Sequence, residues 1–300
     1  MSEVRQRWRL VFKRGEEARY LSHLDAVRLW ERAFRRGEIP VATSEGFSPR
    51  PKLIFAAPLN LGMLAEHELA DIFLSERLAA ANLRDRLAAG MPRGYEVVDL
   101  HDVWVGDPAL APQLAAADYR MTLLNVEQSR LAAAAGRLLA AERLPRERRK
   151  EARAIPYDLR PLLLELRARP ADPRALPPDA DPAGAAGLWM RLRHTQDRGS
   201  GRVEEVVAAL ASEMGLRAGI GGGEGEAAGA ADSIEEPAMP GAPDVVETAP
   251  ESPGPQSVGT ILEIVRPVRE RLWLATELES EGTPHAVAQP TEPGSGGAVD

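Results

Sequence analysis

The chain opens with a strand-like alternation, followed by apolar positions at helical spacing. Residues 7–14, RWRLVFKR, alternate apolar with charged side chains. This predicts a half-buried strand, because successive side chains of a strand point to opposite faces. Over Tyr20–Arg36, YLSHLDAVRLWERAFRR, apolar residues return every three or four positions, as on one face of a helix. We expect this helix to start at Ser22 as its N-cap and to end at Gly37.

The pattern after this helix predicts the rest of a first domain and a second one like it. KLIFAAPL, HELADIFLSE and GYEVVDLHDVWV favour strands and AAANLRDRLAAGM favours a helix, which gives the order β-α-β-β-α-β within residues 1–106. The same order recurs over residues 117–217 and is completed by a strand in residues 259–275. We therefore predict an α+β fold of two tandem ferredoxin-like (βαββαβ) domains.

Two segments have a composition that does not favour a packed fold. Residues 218–258 are rich in Gly, Ala, Pro and Glu and poor in large apolar side chains. Such a segment buries too little surface to offset its conformational entropy, so we predict a disordered insertion before the last strand. Residues 276–300 are predicted to form a flexible acidic tail.

The charge of the chain is divided unevenly. The whole sequence carries a net charge of −8, but residues 1–217 hold 34 Lys and Arg against 30 Asp and Glu, a net charge of +4. The remaining residues hold 3 against 15, a net charge of −12. The predicted folded part is therefore mildly basic, which is compatible with a polyanionic partner.

The composition of the chain excludes several classes of site. The chain has no cysteine, so it holds neither a disulfide, nor a thiolate zinc site, nor a cysteine-ligated iron–sulfur cluster. The five histidines show no metal-ligand spacing, and we expect no metal and no cofactor. The N-terminus lacks the apolar core of a signal peptide, and no apolar run approaches the ~20 residues that span a bilayer. A soluble cytoplasmic protein without a membrane partner is expected.

The predicted helix carries arginines along one flank. Arg28, Arg32, Arg35 and Arg36 are three or four residues apart and therefore share one side of the helix. We call these four residues the basic flank. Guanidinium groups suit phosphate oxygens and stack on bases, which favours contact with nucleic acid. A ferredoxin-like sheet is also the kind of surface that RNA-recognition modules use. The alternative is a solvated helix face neutralised by nearby glutamates.

A histidine and an aspartate lie at the start of the same helix. His23 could act as a general acid or base, but residues two apart on a helix do not face each other. Asp25 is also placed to take part in capping with Ser22. The alternative to a chemical role is a histidine hydrogen-bonded within the helix turn.

A stiff loop follows the helix. In SEGFSPRPK, residues 44–52, the prolines restrict the backbone and Gly46 permits a positive φ. Ser44, Arg50 and Lys52 add polar and cationic groups around Phe47, whose ring could serve as a stacking platform for a base. The alternative is that Phe47 is buried as a plug over the sheet.

The residues of this region resemble the radical-SAM-linked protein family, a bacterial family of unknown function. Its members are fused to, or encoded beside, a cobalamin-binding radical SAM protein. The resemblance is carried by a YLSHLD-type helix start, a basic helix, and an S-x-G-F-x-P-x-P loop followed by an apolar strand and P-L-x-x-G. YDLRPLL and RGSGR resemble the second half of the family. Gly37 departs from the pattern, since the family usually has a helix former there. The matching residues of the first half are Tyr20, Leu21, Ser22, His23, Leu24, Asp25, Arg28, Arg32, Arg35, Arg36, Pro40, Ser44, Gly46, Phe47, Pro49, Pro51, Lys52, Phe55, Pro58, Leu59, Gly62, Glu68 and Asp71.

The resemblance implies a partner, and the charge pattern indicates a ligand. We expect a non-catalytic accessory protein that works with a separate cobalamin-dependent radical SAM protein and binds or presents an RNA substrate. Two alternatives are a metal-independent RNA endonuclease that uses His23 and a protein-interaction scaffold with no nucleic-acid role. The predicted binding residues are Tyr20, Ser22, His23, Asp25, Arg28, Arg32, Arg35, Arg36, Ser44, Gly46, Phe47, Arg50 and Lys52.

Overall fold

The first part of the structure contains the predicted alternation of strands and helices. The structure is a computed structural model that describes residues 3–45, 47–150, 153–195, 197, 199–219 and 260–281. Its first six elements are β1 (Gln6–Arg14), α1 (His23–Arg36), β2 (Leu53–Phe55), β3 (Leu64–Leu74), α2 (Ala80–Gly90) and β4 (Tyr95–Val103).

The second part repeats this order with additional short elements. These are β5 (Leu114–Leu124), α3 (Gln128–Ala140), β6 (Pro145–Lys150), β7 (Arg153–Asp158), β8 (Leu163–Pro170), β9 (Ala185–Thr195), β10 (Gly199–Ser200), α4 (Val203–Glu213), β11 (Arg217–Gly219), β12 (Ile261–Leu274) and α5 (Ala275–Glu281). Strands β6 and β7 form a separate two-stranded ribbon. The charged segment PRERRK that forms β6 lacks the apolar alternation of a strand and was not predicted from the pattern.

The remaining strands of the described residues form one ten-stranded sheet in a mixed α/β fold. The first part contributes neighbouring strands in the order β4-β1-β3-β2, and the second part in the order β12-β5-β9-β8. Neighbouring strands in both of these orders are antiparallel. The two parts are joined where β12 pairs with β3 in parallel, with Val268 opposite Leu64. The five helices of the described residues accompany this sheet.

Helix α1 is held on the sheet by an aromatic cluster around Trp30. The Trp30 side chain is fully buried, and its ring lies 4.9 Å from the ring of Phe12 on β1 and 5.7 Å from those of Phe55 and Tyr95. All three pairs have the edge-to-face geometry that aromatic rings prefer. Burial of one side of α1 in this way leaves its opposite side, including the basic flank, toward solvent.

Gly37 allows the end of α1 to approach α2 closely. A Cβ atom at Gly37 would lie 2.3 Å from the carbonyl oxygen of Arg86, and one at Gly90 would lie 2.3 Å from the carbonyl oxygen of Ala33. The two helices therefore meet backbone to backbone. This packing leaves no room for a side chain at position 37.

Two of the predicted irregular segments begin with ordered elements. The composition predicts Ala218 and Gly219 to lie in a disordered insertion, but they belong to β11 and pair in parallel with Leu262 and Glu263 of β12. Residues 276–281 are predicted to lie in a flexible tail, but they belong to α5. Helix α5 is anchored by an ion pair in which Glu281 lies 2.8 Å from Arg191. The rest of both predicted segments, residues 220–259 and 282–300, lies outside the described residues.

At strands β1 and β3, the sheet face opposite α1 is covered by the connection between the two parts. Arg7 of β1 is buried and forms an ion pair with the buried carboxylate of Asp71 at 2.5 Å. The Arg7 guanidinium also donates hydrogen bonds to the carbonyl oxygens of Asp107 and Pro108 at 2.7 and 2.9 Å. The connection between the two parts therefore occupies the face that RNA-recognition modules keep open.

Candidate nucleic-acid interface

The start of α1 has the predicted cap. Ser22 is the N-cap, and its side-chain oxygen accepts a hydrogen bond from the Asp25 backbone N–H at 3.2 Å. The Ser22 hydroxyl donates to the Asp25 carboxylate at 2.7 Å. This reciprocal arrangement confirms the variant capping box and fixes the direction in which the helix leaves the turn.

The basic flank of α1 is exposed but only partly free. Arg28 lies 3.6 Å from the Asp25 carboxylate in an exposed pair, and Arg36 donates to the Gly90 carbonyl oxygen at 2.7 Å. Arg32 and Arg35 are exposed and have no ion pair among the described residues. An exposed pair such as Arg28–Asp25 contributes only about 0–1 kcal/mol, so it competes weakly with a phosphate. The charges of this flank are thus available to an anionic ligand.

The loop after α1, residues 44–51, is closed by its own hydrogen bonds and is called the Gly/Pro loop below. Ser44 N–H donates to the Arg50 carbonyl oxygen at 2.8 Å, and Arg50 N–H donates to the Ser44 hydroxyl at 3.0 Å. Phe47 at its tip has a relative exposure of 110%, so the alternative of a buried plug is wrong. Gly46 lies outside the described residues.

The Gly/Pro loop lies at the same end of the sheet as the C-terminus of α1. The chain leaving α1 makes a bridge between Val41 and Leu74, and the base of the loop is closed by a bridge between Thr43 and Pro51. These bridges place the base of the Gly/Pro loop, and Lys52 directly after it, at the end of the sheet where α1 ends. Arg36 is turned toward α2, where it donates to the Gly90 carbonyl oxygen.

The remaining predicted site residues lie at the other end of α1. Its 14 residues span about 21 Å, so Ser22, His23 and Asp25 are about that far from the C-terminus of the helix. Tyr20 precedes them, is 72% exposed and has the Arg19 guanidinium 4.9 Å from its ring centre. The predicted residues that the structure describes therefore do not form one site: Tyr20, Ser22, His23 and Asp25 lie at or before the start of α1, and Arg32, Arg35 and Arg36 lie toward its end.

His23 does not form an acid–base pair with Asp25. The Asp25 carboxylate is engaged by Ser22, and the His23 ring lies edge-on to Phe55 with 5.6 Å between ring centres. Partial burial lowers the pKa of His23 from 6.5, which favours the neutral imidazole. This geometry resembles a packed helix-start histidine more than a catalytic one.

An apolar cleft beside the Gly/Pro loop was not predicted from the sequence. It has a volume of about 540 Å³, and Ser44 and Pro51 of the loop form part of its wall together with Ile54, Phe73 and Val105. Ile54 and Val105 are exposed. The alternation in the strand KLIF could have indicated an outward-facing Ile54, but the approach of Val105 depends on the fold.

A buried ion pair between the two parts was also missed. The Arg269 guanidinium of β12 forms a two-pronged pair with the Glu68 carboxylate of β3, with Nε 2.6 Å from Oε1, and both side chains are 3% exposed. Arg269 also donates to the Pro58 carbonyl oxygen at 3.0 Å. These contacts fix the PLNLG loop and fasten β12 to β3.

His194, on β9, is affected by this pair. Burial, and secondarily the positive charge of Arg269, lowers the pKa of His194 from 6.5 to about 4. The unfolded chain binds a proton at higher pH than the folded one, so the free energy of unfolding falls as the pH decreases from about 6.5 toward 4. This single histidine accounts for a loss of about 3 kcal/mol over that range.

We therefore expect a His194→Gln variant to lose less stability than the wild-type protein between pH 6.5 and 4. Urea unfolding at half-unit pH intervals measures the difference between the two curves. His101→Gln is the control. Because the His101–Asp99 pair is exposed, this variant is expected to depart from the wild-type curve by less than about 1 kcal/mol. Parallel curves for wild type and His194→Gln would contradict the assignment.

Two further classes of site are absent from the described part of the chain. No group of three or more His, Asp or Glu residues there is arranged to hold a metal ion. None of the helices described is both long enough and apolar enough to cross a bilayer.

Comparison with known proteins assigns the chain to a family. A search of curated proteins returned no match. A family model described as "Uncharacterized protein conserved in bacteria (DUF2344)" matches residues 7–198, which include α1, the basic flank and the Gly/Pro loop. The match covers well over half of the 300 residues. The chain is therefore a member of this bacterial DUF2344 family.

Proposed function

We propose that this chain is a non-catalytic, cytoplasmic accessory protein that binds single-stranded RNA and works with a separate cobalamin-dependent radical SAM protein. The observation that carries the RNA-binding part is the fully exposed Phe47 on a hydrogen-bonded loop at the arginine-rich end of α1. An exposed aromatic ring beside exposed guanidinium groups is the combination that holds a base and its phosphates.

The chemistry of the surface suits a flexible strand more than a duplex. Phosphates can follow Arg32 and Arg35 along the helix, while a base stacks on Phe47. Because the connection at residues 107–110 covers the sheet face behind, we place the RNA on the helix flank.

The strand orders support a proposal for the fold family. We propose that each part is a ferredoxin-like unit. In such a unit the strands lie in the order 4-1-3-2, and the orders β4-β1-β3-β2 and β12-β5-β9-β8 both fit it. The boundaries predicted for these units, residues 1–106 and residues 117–217 with 259–275, stay a prediction.

The partner is proposed from the resemblance of the motifs. Radical SAM chemistry needs an iron–sulfur cluster held by cysteines, and this chain has none. Any such chemistry would therefore take place on the partner. We expect the radical SAM protein encoded beside this chain to be recovered when the tagged full-length chain is purified from cells that express both. Its consistent absence, while the tagged chain itself is recovered folded, would contradict the partnership.

RNA binding by the Gly/Pro loop is tested with a Phe47→Ala variant. Loss of one stacked base is expected to weaken binding of a labelled single-stranded RNA by about 1–3 kcal/mol, or roughly 5- to 150-fold. Fluorescence anisotropy with an unstructured oligonucleotide measures the affinity. The free energy of unfolding is expected to stay unchanged, because the ring makes no buried contact.

The control variant is Ile155→Ala, which removes an exposed apolar side chain from the β6–β7 ribbon. It is expected to bind RNA as the wild-type protein does. If Phe47→Ala and Ile155→Ala bind RNA with equal affinity, the Gly/Pro loop is not part of the interface. If the wild-type protein does not bind RNA at all, the alternative of a protein-interaction scaffold is favoured.

A further inference from the structure

A second cleft lies between the two parts of the chain, on the sheet face opposite α1. Its volume is about 460 Å³, within the range of small-molecule sites. Lys13 and Glu96 come from β1 and β4, Glu66 from β3 and Arg120 from β5. Phe12 packs on Trp30 of α1, so the next residue of the strand, Lys13, points away from that helix.

Arg266 enters this cleft from an unusual backbone conformation. Its φ is 49°, in the left-handed region, and it precedes Pro267 within the irregularity that interrupts the pairing of β12 between Val265 and Val268. A residue other than glycine in this region costs of order 1–3 kcal/mol, and such strain concentrates at functional sites. Bulges of this kind redirect a side chain beside a binding site.

The strained residue is held in place by both parts of the chain. The Arg266 guanidinium donates to the Arg174 carbonyl oxygen at 3.2 Å, and its Nε lies 3.3 Å from a carboxylate oxygen of Glu16. These contacts place its charge at the rim of the cleft. Arg174 itself belongs to the connection between β8 and β9, is exposed, lines the cleft and has no ion pair among the described residues.

The cations of the cleft differ in how they are paired with carboxylates. Arg120 is paired with Glu66 and Glu270, and Lys13 lies 3.6 Å from Glu96. Arg174 has no ion pair among the described residues, and Arg266 is paired with Glu16. The cleft is lined by five cations, Lys13, Arg14, Arg120, Arg174 and Arg266, against three carboxylates, Glu66, Glu96 and Asp172. The exposed carboxylates of the cleft, Glu66 and Glu96, can accept hydrogen bonds from hydroxyl or amino groups.

We propose that this cleft binds the phosphate monoester of a nucleotide. Arg174 and Arg266 hold the phosphate, because two guanidinium groups at one rim match its oxygens. Glu66 and Glu96 accept hydrogen bonds from the sugar or the base. The site lies on the opposite sheet face from the basic flank and does not depend on the function proposed for that flank.

The proposal is tested by isothermal titration of the full-length chain with AMP, adenosine and inorganic phosphate. AMP is expected to bind, adenosine to bind at least about tenfold more weakly, and Arg174→Gln to weaken AMP binding at least about tenfold. The control, Arg137→Gln, removes an exposed arginine of α3 that pairs with Glu213. Equal AMP affinities for the wild type and Arg174→Gln, or no AMP binding by the wild type, would overturn the proposal.

A second variant distinguishes a role of Arg266 in AMP binding from a role in stability. Arg266→Gly removes the guanidinium and relieves the left-handed strain, so AMP binding is expected to be lost while the urea midpoint stays equal or rises. If Arg266 only supports the fold, the midpoint falls and AMP affinity is retained, which counts against the site. Titration with RNA oligonucleotides that carry a 5′-phosphate or a 5′-hydroxyl distinguishes an RNA end from a free nucleotide as the ligand. Tighter binding of the 5′-phosphorylated oligonucleotide than of AMP would assign the cleft to RNA ends.

Discussion

An Arg269→Met variant is expected to lose about 3–5 kcal/mol of unfolding free energy, because it leaves the buried Glu68 carboxylate without its partner. Arg269 also donates to the Pro58 carbonyl oxygen, so the PLNLG loop, residues 58–62, loses an anchor. Equilibrium urea unfolding measures the loss. The effect is large because a buried carboxylate that has lost its ion-pair partner is not solvated by water.

Two controls define this expectation. Arg137→Met breaks an exposed pair with Glu213 and is expected to cost only about 0–1 kcal/mol. A double variant, Glu68→Leu with Arg269→Met, removes both charges and is expected to recover part of the stability. A loss below 1 kcal/mol for Arg269→Met alone would show that the pair does not fasten the two parts together.

The second large effect is expected on the basic flank. Replacing Arg28, Arg32 and Arg35 together by glutamine is expected to lower affinity for single-stranded RNA on the order of 100-fold at 50 mM salt. Three lost phosphate contacts reduce the slope of log affinity against log salt by about two. Glutamine has a helix propensity close to that of arginine, and all three side chains are exposed, so α1 is expected to keep its fold.

The matched control removes three exposed arginines from the second part of the chain, Arg137, Arg143 and Arg217. It changes the net charge by the same amount without touching α1. If both triple variants weaken RNA binding equally, binding follows the overall charge and the basic flank has no special role.

The parts of this structure that could be predicted are those fixed by near neighbours in the sequence. The cap at Ser22 depends on Asp25 three residues away, and the start of α1 follows from that spacing. The basic flank likewise follows from helical periodicity. The exposure of Phe47 was left open by the sequence, because a stiff loop is compatible with a ring turned outward or inward.

The long-range features could not be read from the pattern. Glu68 and Arg269 are 201 positions apart, and each is simply one polar residue in an alternating strand until β12 is placed beside β3. The strained backbone of Arg266 lies at the irregularity in the pairing of β12 with β5, just before Val268 also pairs with β3. The cleft between the two parts depends on this pairing, and the apolar cleft depends on the approach of Val105 to Ile54 and Phe73, so both appear only with the fold.

The affinity of the wild-type protein for an unstructured RNA between 50 and 200 mM salt tests the RNA interface most directly. If several phosphates contact the basic flank and the Gly/Pro loop, log affinity is expected to fall with log salt at a slope of about −2 or steeper, a loss of roughly 16-fold over this range. Affinity that is absent at 50 mM, or that does not change with salt, would contradict the interface.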